Sequence, residues 1–146
     1  MLSTRTGPAN RVVKHMYLTS GCHTVQVHVG RLGTSKRAVV VGAAPSIDAF
    51  ESDVGRERWS AWTKGAVGYA ATGAIIKNGV EVGYGKPYGE GDLVSMRVDM
   101  NQRRLAFFLN DEEQGELADD HSFAASAMFP AITYLPGVDE LDIYLL

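Results

Sequence analysis

The residue types able to do chemistry are present in this chain, but their spacing does not serve it. The segment DDHS, 119–122, holds the acid, base and nucleophile of a hydrolase. Sequence neighbours cannot turn their side chains toward one another as a triad requires. GYGKPYGEGD, 83–92, contains the Gly-Lys pair of a phosphate loop. Its spacing departs from that motif, and a strand-like stretch follows where a helix is needed. Gly85, Gly89 and Gly91 there suit tight backbone conformations. His15, His23, His28 and His121 show no ligand spacing with cysteine or carboxylates. The acidic run DEEQGELADD, 111–120, lacks the alternation and the glycine of a calcium loop. Cys22 has no flanking base to activate its thiol. The expectation is a protein with no catalytic residue, no metal and no cofactor, and so not an enzyme.

Residues suited to holding a partner are easier to find. GRERWSAW, 55–62, sets Trp59 and Trp62 beside Arg56 and Arg58. Tryptophan and arginine are enriched at interface hot spots, yet two nearby tryptophans also serve as core plugs. Both readings stand for this loop. Tyr69, Tyr88, Tyr134 and Pro136 carry the same ambiguity, since tyrosine joins an apolar body to a polar tip.

The elements that must position these residues are strands. Sixteen glycines punctuate short runs rich in Val, Ile, Tyr and Phe, the pattern of an all-β sandwich or barrel. Strands are predicted near 11–18, 23–30, 37–43, 66–71, 74–77, 80–84, 93–99, 104–110, 114–118, 128–134 and 140–145. The best helix candidate is 46–53, where Ser46 is placed to cap a turn or two, and 117–127 is a candidate for a further short turn. In 93–100, Val94, Met96, Val98 and Met100 share a face opposite Ser95, Arg97 and Asp99. In 104–110, Leu105, Phe107 and Leu109 do the same, which predicts a half-buried hairpin with Phe107 in the core. Asn110 and Asp111 suit the next turn, because their side chains bond nearby backbone and tolerate positive φ. RAVVVGA, 37–43, is apolar without alternation and predicts a strand covered on both faces.

Composition bounds the function classes. At 146 residues the chain is one ordinary domain, 1–146, with no repeat or linker. A chain of this size buries roughly 68–70% of its unfolded surface, so it needs no staple. One cysteine excludes an internal disulfide and suits a reducing compartment. The start has no apolar leader, and no apolar run is long enough to cross a membrane. The net charge of −3 splits into +5 over residues 1–64 and −8 over 65–146. That balance does not favour nucleic acid, which wants a dense basic face.

Several ordered segments together resemble the SPRY family. They are SGCHTVQVHV, 20–29; VVVGAAP, 39–45; VGYAATGAIIKNG, 67–79; YGKPYGEGDLVSMRVDMNQRRLAFFLNDEEQGELA, 84–118; and MFPAITY, 128–134. The likeness is strongest over 84–134, with residues 1–19 as a lead-in strand. It departs from the family where TVQVHV replaces an aromatic-rich strand, where Ala43 follows Gly42 in place of a tryptophan, and in the late loop YLPGVDE, which lacks the tryptophan of some peptide pockets. The resemblance implies a two-layer antiparallel β-sandwich of the SPRY or concanavalin-like jelly-roll kind. It also implies a non-catalytic, intracellular interaction module, monomeric, that holds a peptide or surface of another protein on rim loops. The residues it implicates are Pro8, Arg58, Trp59, Trp62, Tyr69, Lys77, Lys86, Tyr88, Tyr134, Leu135 and Pro136. Their basic members suggest an acidic or Asn-rich partner, with no nucleic acid, membrane or small-molecule substrate. The alternative is a lectin-like sandwich whose aromatics stack on carbohydrate.

Overall fold

The computed structural model describes residues 9–33, 39–51, 62, 65–77, 79–102, 104–118, 127–135 and 138–146. Its strands are β1 (Ala9–Val12), β2 (Cys22–Arg31), β3 (Val40–Ala44), β4 (Val67–Ala70), β5 (Ala74–Lys77), β6 (Val80–Gly83), β7 (Leu93–Asp99), β8 (Arg104–Leu109), β9 (Glu112–Ala118), β10 (Phe129–Tyr134) and β11 (Glu140–Leu145), with one helical turn, α1 (Ile47–Glu51). Two antiparallel sheets result. A six-stranded sheet runs β1-β10-β3-β4-β5-β6, and a five-stranded sheet runs β11-β2-β7-β8-β9. The expected two-layer sandwich forms.

Period-2 patterning does most of this work. Val25, Val27 and Val29 of β2, Val94, Met96 and Val98 of β7, and Leu105, Phe107 and Leu109 of β8 all point inward into one core. Phe107 is fully buried there, opposite Met96 on β7. Asn110 and Asp111 take φ of 50° and 70°. Two successive positive φ values make the tight hairpin turn whose twist suits paired strands, so β9 begins at Glu112, two residues earlier than predicted. The predicted strand 11–18 is shorter in fact. β1 stops at Val12, and Met16 N–H closes a turn onto Val13 O at 3.2 Å. That turn sends Met16 and Leu18 inward, and Leu18 makes an isolated bridge to Met128.

β3 is buried at every residue, as its unbroken apolar run requires. Val41 and Ala43 face the core between the sheets, whereas Val40 and Ala44 face a second apolar cluster on the outer side. Trp62 is the largest member of that outer cluster and is 0% exposed. Its seat is a notch at Gly68 of β4, and Gly68 is paired with Gly42 of β3, whose missing Cβ lets the two strands approach. A Cβ on Gly68 would lie 2.7 Å from a Trp62 ring carbon, and one on Gly42 would lie 1.9 Å from Val67 O. Phe50 of α1 meets the indole edge-on at 4.8 Å. The indole N–H donates to Thr133 Oγ1 at 2.8 Å, and the Thr133 hydroxyl donates to Asn10 Oδ1 at 2.7 Å. Trp62 is therefore a core plug that ties β10 and β1 to the back of the sheet, and its expected place on a binding rim is corrected.

Phe107→Ala should destabilise the fold by about 3–5 kcal/mol, against a total of about 5–15 kcal/mol for a domain. A melting temperature within a degree or two of wild type would contradict the register. Gly68→Ala should cost about 1–3 kcal/mol by overpacking against the indole. Gly83→Ala, whose added carbon meets nothing within 4 Å, is the matched control. Equal urea midpoints for the two variants would refute the notch.

Candidate functional site: the loop-bearing rim

Antiparallel pairing decides which connections share an end. Val40 at the start of β3 pairs with Thr133 near the end of β10 and with Ala70 at the end of β4. Ala74 starts β5 opposite Gly83, where β6 ends, and Ala9 of β1 lies opposite Tyr134. In the other sheet His28, late in β2, pairs with Leu93 at the start of β7. Leu109 at the end of β8 pairs with Val94 and Glu112, and Glu140 starts β11 opposite Arg31. One rim thus gathers the start of β1 and the β2–β3, β4–β5, β6–β7, β8–β9 and β10–β11 connections.

Side chains hold these connections where no ladder does. Asp139 is buried, and its carboxylate accepts Gly33 N–H at 2.7 Å and Leu135 N–H at 2.8 Å. It joins the β2–β3 and β10–β11 connections through charge-assisted bonds, roughly twice as strong as neutral ones. Arg31 Nε donates to Val138 O at 2.9 Å, and its guanidinium pairs with Glu140 at 3.3 Å. Asp92 accepts Gly89 N–H at 2.8 Å and the Asn110 amide at 3.0 Å. Asn110 Oδ1 in turn accepts Leu93 N–H at 2.9 Å. Glu90 accepts Leu32 N–H at 3.2 Å.

Three tyrosines stand beneath the rim. The Tyr69 ring meets those of Tyr84, Tyr88 and Phe107 at centroid distances of 5.1–5.5 Å. Its hydroxyl donates to Lys86 O, the Tyr84 hydroxyl donates to Gly115 O, and the Tyr88 hydroxyl donates to Tyr69 O at 2.7 Å. Tyr84 follows β6 in one sheet and Gly115 belongs to β9 in the other, so that bond closes the sandwich at its corner. Burial pushes the phenols of Tyr69 and Tyr84 up to about 12, and that of Tyr88 well above its ordinary value.

The residues implicated from sequence divide three ways. Lys86, Tyr134 and Leu135 lie on this rim, Lys86 exposed and the other two half-buried. Tyr69 and Tyr88 are core posts beneath it, 0% and 1% exposed, so their rings are not offered to a partner. Lys77 ends β5 at the opposite end of the sandwich. Pro8, Arg58, Trp59 and Pro136, with Arg56, lie outside the described residues. Sequence reading missed Arg31, Leu32, Glu90 and Asp139. Asp139 follows Pro-Gly-Val, and an aspartate in such a turn commonly caps backbone amides, which was the available signal.

The rim's charge differs from the expectation. Lys86 is paired with Glu112 at 2.6 Å, and that hydrogen bond and charge hold the Glu112 carboxyl below its usual range. Arg31 is paired with Glu140. The described rim cations are each matched by a carboxylate, so these residues give an acidic partner no support. Among the described residues no group of three or more His, Cys, Asp or Glu is arranged to hold a metal ion.

No family profile and no curated protein sequence matches the chain. Solved structures do. The SPRY domain of human HERC1 matches with a TM-score of 0.71 at 19% identity, over 94% of this chain and 82% of that one. A second human SPRY domain matches with a TM-score of 0.75 at 16% identity, over 97% and 87%. The chain has the SPRY fold. The likeness expected from its Gly-Asp and LAFFLN segments is therefore one of backbone path, carried at low sequence identity.

The SPRY core's tyrosines make stability depend on alkaline pH. A phenol whose folded value exceeds its unfolded value of about 10 holds its proton more tightly when folded. Its contribution is complete below pH 10 and is lost as pH rises from 10 through 12. Urea midpoints should therefore fall across that window, less steeply for Tyr84→Phe. Parallel slopes for the two proteins would show that Tyr84 is not part of the effect.

Proposed function

We propose that this SPRY-fold chain is a non-catalytic interaction module that receives a peptide or surface of a partner protein on the loop-bearing rim. The fold supports the coarse reading, since SPRY domains are generally protein-interaction modules. The observation that carries the finer one is the stapling of the rim. Gly33, Leu135, Gly89 and Lys86 are held in place by Asp139, Asp92 and Tyr69 before anything binds, which lowers the entropy cost of association. Half-buried Leu32, Tyr134 and Leu135 and exposed Val138 offer apolar contact, ringed by Arg31, Glu90 and Lys86. Loops on a rigid scaffold are where binding residues concentrate. The exposed free thiol of Cys22 suits an intracellular, reducing setting.

Affinity purification from the native cell, followed by direct binding of the recovered partner, tests the proposal. Tyr134→Ala, Leu135→Ala and Val138→Ala are compared with Lys77→Ala at the far end, each checked for folding by circular dichroism. At least one rim variant should lose about 2 kcal/mol, roughly thirtyfold in affinity, with Lys77→Ala unchanged. Wild-type binding by every folded rim variant would place the site elsewhere. Loss of binding after glycosidase treatment of the partner would favour the lectin-like alternative.

A further inference from the structure

Two short segments of the rim meet, although Gly33 and Asp139 stand 106 positions apart in sequence. The first is 31–33, at the end of β2, and the second is Leu135 with 138–140, leading into β11. Each oxygen of the Asp139 carboxylate serves one of them. Oδ1 accepts Gly33 N–H at 2.7 Å, and Oδ2 accepts Leu135 N–H at 2.8 Å. Arg31 reaches across in the other direction. Its Nε donates to Val138 O at 2.9 Å, and its guanidinium pairs with Glu140 at 3.3 Å. Between these contacts Gly33 packs against Val138. A Cβ on Gly33 would lie 2.2 Å from Val138 Cγ1 and 3.5 Å from Asp139 Oδ1, so the approach needs a residue without one. Within the second segment, Val138 N–H and Asp139 N–H both donate to Leu135 O, at 3.1 and 2.9 Å.

These contacts resist release one segment at a time. Asp139 is 5% exposed. If 31–33 alone lifted away, one carboxylate oxygen would lose its donor while the charge stayed beside Leu135. A buried acceptor left without its donor costs more than the bond contributes when made, and a charged acceptor costs most. Opening both segments together returns the whole carboxylate to water and avoids that penalty. The joint opening is therefore the easier one. We infer that residues 31–33 and the Leu135–Asp139 contact set form one cooperative unit, with Asp139 as the positioning residue that makes the two segments open and close together. The consequence for binding rests on the rim reading above. A partner that touches either segment engages both, so half-buried Leu32 and Leu135 and exposed Val138 act as one surface.

Amide hydrogen exchange on the free protein, read residue by residue by NMR, tests the inference. The reporters are bonds that do not involve the Asp139 carboxylate. Leu32 N–H, held by Glu90 Oε1 at 3.2 Å, reports on the first segment. Val138 N–H, held by Leu135 O, reports on the second. Asp139→Asn keeps the side chain's shape but gives up one acceptor, because an amide nitrogen only donates. One of the two bonds is lost, yet protection at Leu32 and at Val138 should fall by the same factor, about tenfold for a hydrogen bond to a charged group. Glu90→Ala removes the Leu32 bond and no described contact of the second segment, and it should still lower protection at Val138. Met100 N–H, bonded to Gly21 O at the other end of the sandwich, should change far less in both variants. No fall in Asp139→Asn, a fall at one reporter only, an unchanged Val138 in Glu90→Ala, or an equal fall at Met100 would overturn the inference. No partner enters the measurement, so the unit can fail while rim substitutions still weaken binding, and it can hold while they do not.

Discussion

Strand β3 offers water no polar face, because every residue from Val40 to Ala44 is buried. A sheet containing such a strand must be covered twice. The five-stranded sheet covers one side. The other is covered by Trp62 and Phe50 over the outer apolar cluster, and the indole comes close enough only because Gly68 carries no β-carbon. Relieved of its outer surface in this way, the six-stranded sheet can leave its loop-bearing end free of packing duties. The hydrogen-bond chain from Trp62 through Thr133 to Asn10 then fixes β10 and β1, the strands that bring Tyr134 and the first residues of β1 to the rim.

The rim is built on a different principle from the sheets. Its backbone groups are satisfied by individual carboxylates and amides, such as Asp139 between two connections and Asn110 between Leu93 and Asp92. Each staple can tolerate sequence change in the loop it holds, provided the donor is a backbone N–H. The tyrosines under the rim link it to the core, since Tyr69 contacts Phe107 with its ring and Lys86 with its hydroxyl. At the rim the described cations, Arg31 and Lys86, are already paired.

Much of the fold was legible in the sequence because alternation is a local signal. Val94 to Val98 and Leu105 to Leu109 declare their inward faces without knowledge of any partner, and Asn110-Asp111 declares the turn. The unbroken run before Gly42 declared a strand buried on both sides. The rim was less legible. Lys86, Tyr134 and Leu135 were found, but Lys77 lies at the other end of the sandwich, and Tyr69 and Tyr88 face inward. A tyrosine at a strand end reads the same from sequence whether its ring is above the core or beneath a loop.

The sequence by itself determined which residues form strands, which side of each strand is apolar, and where the tightest turn falls. Tertiary structure alone decided what covers each side. Trp62 became a core plug because Gly68 of β4, paired with Gly42 of β3, leaves room for its ring. Side-chain period follows from backbone geometry within one strand. Burial and proximity follow from which strands pair and how two sheets stack, and no single segment carries that information.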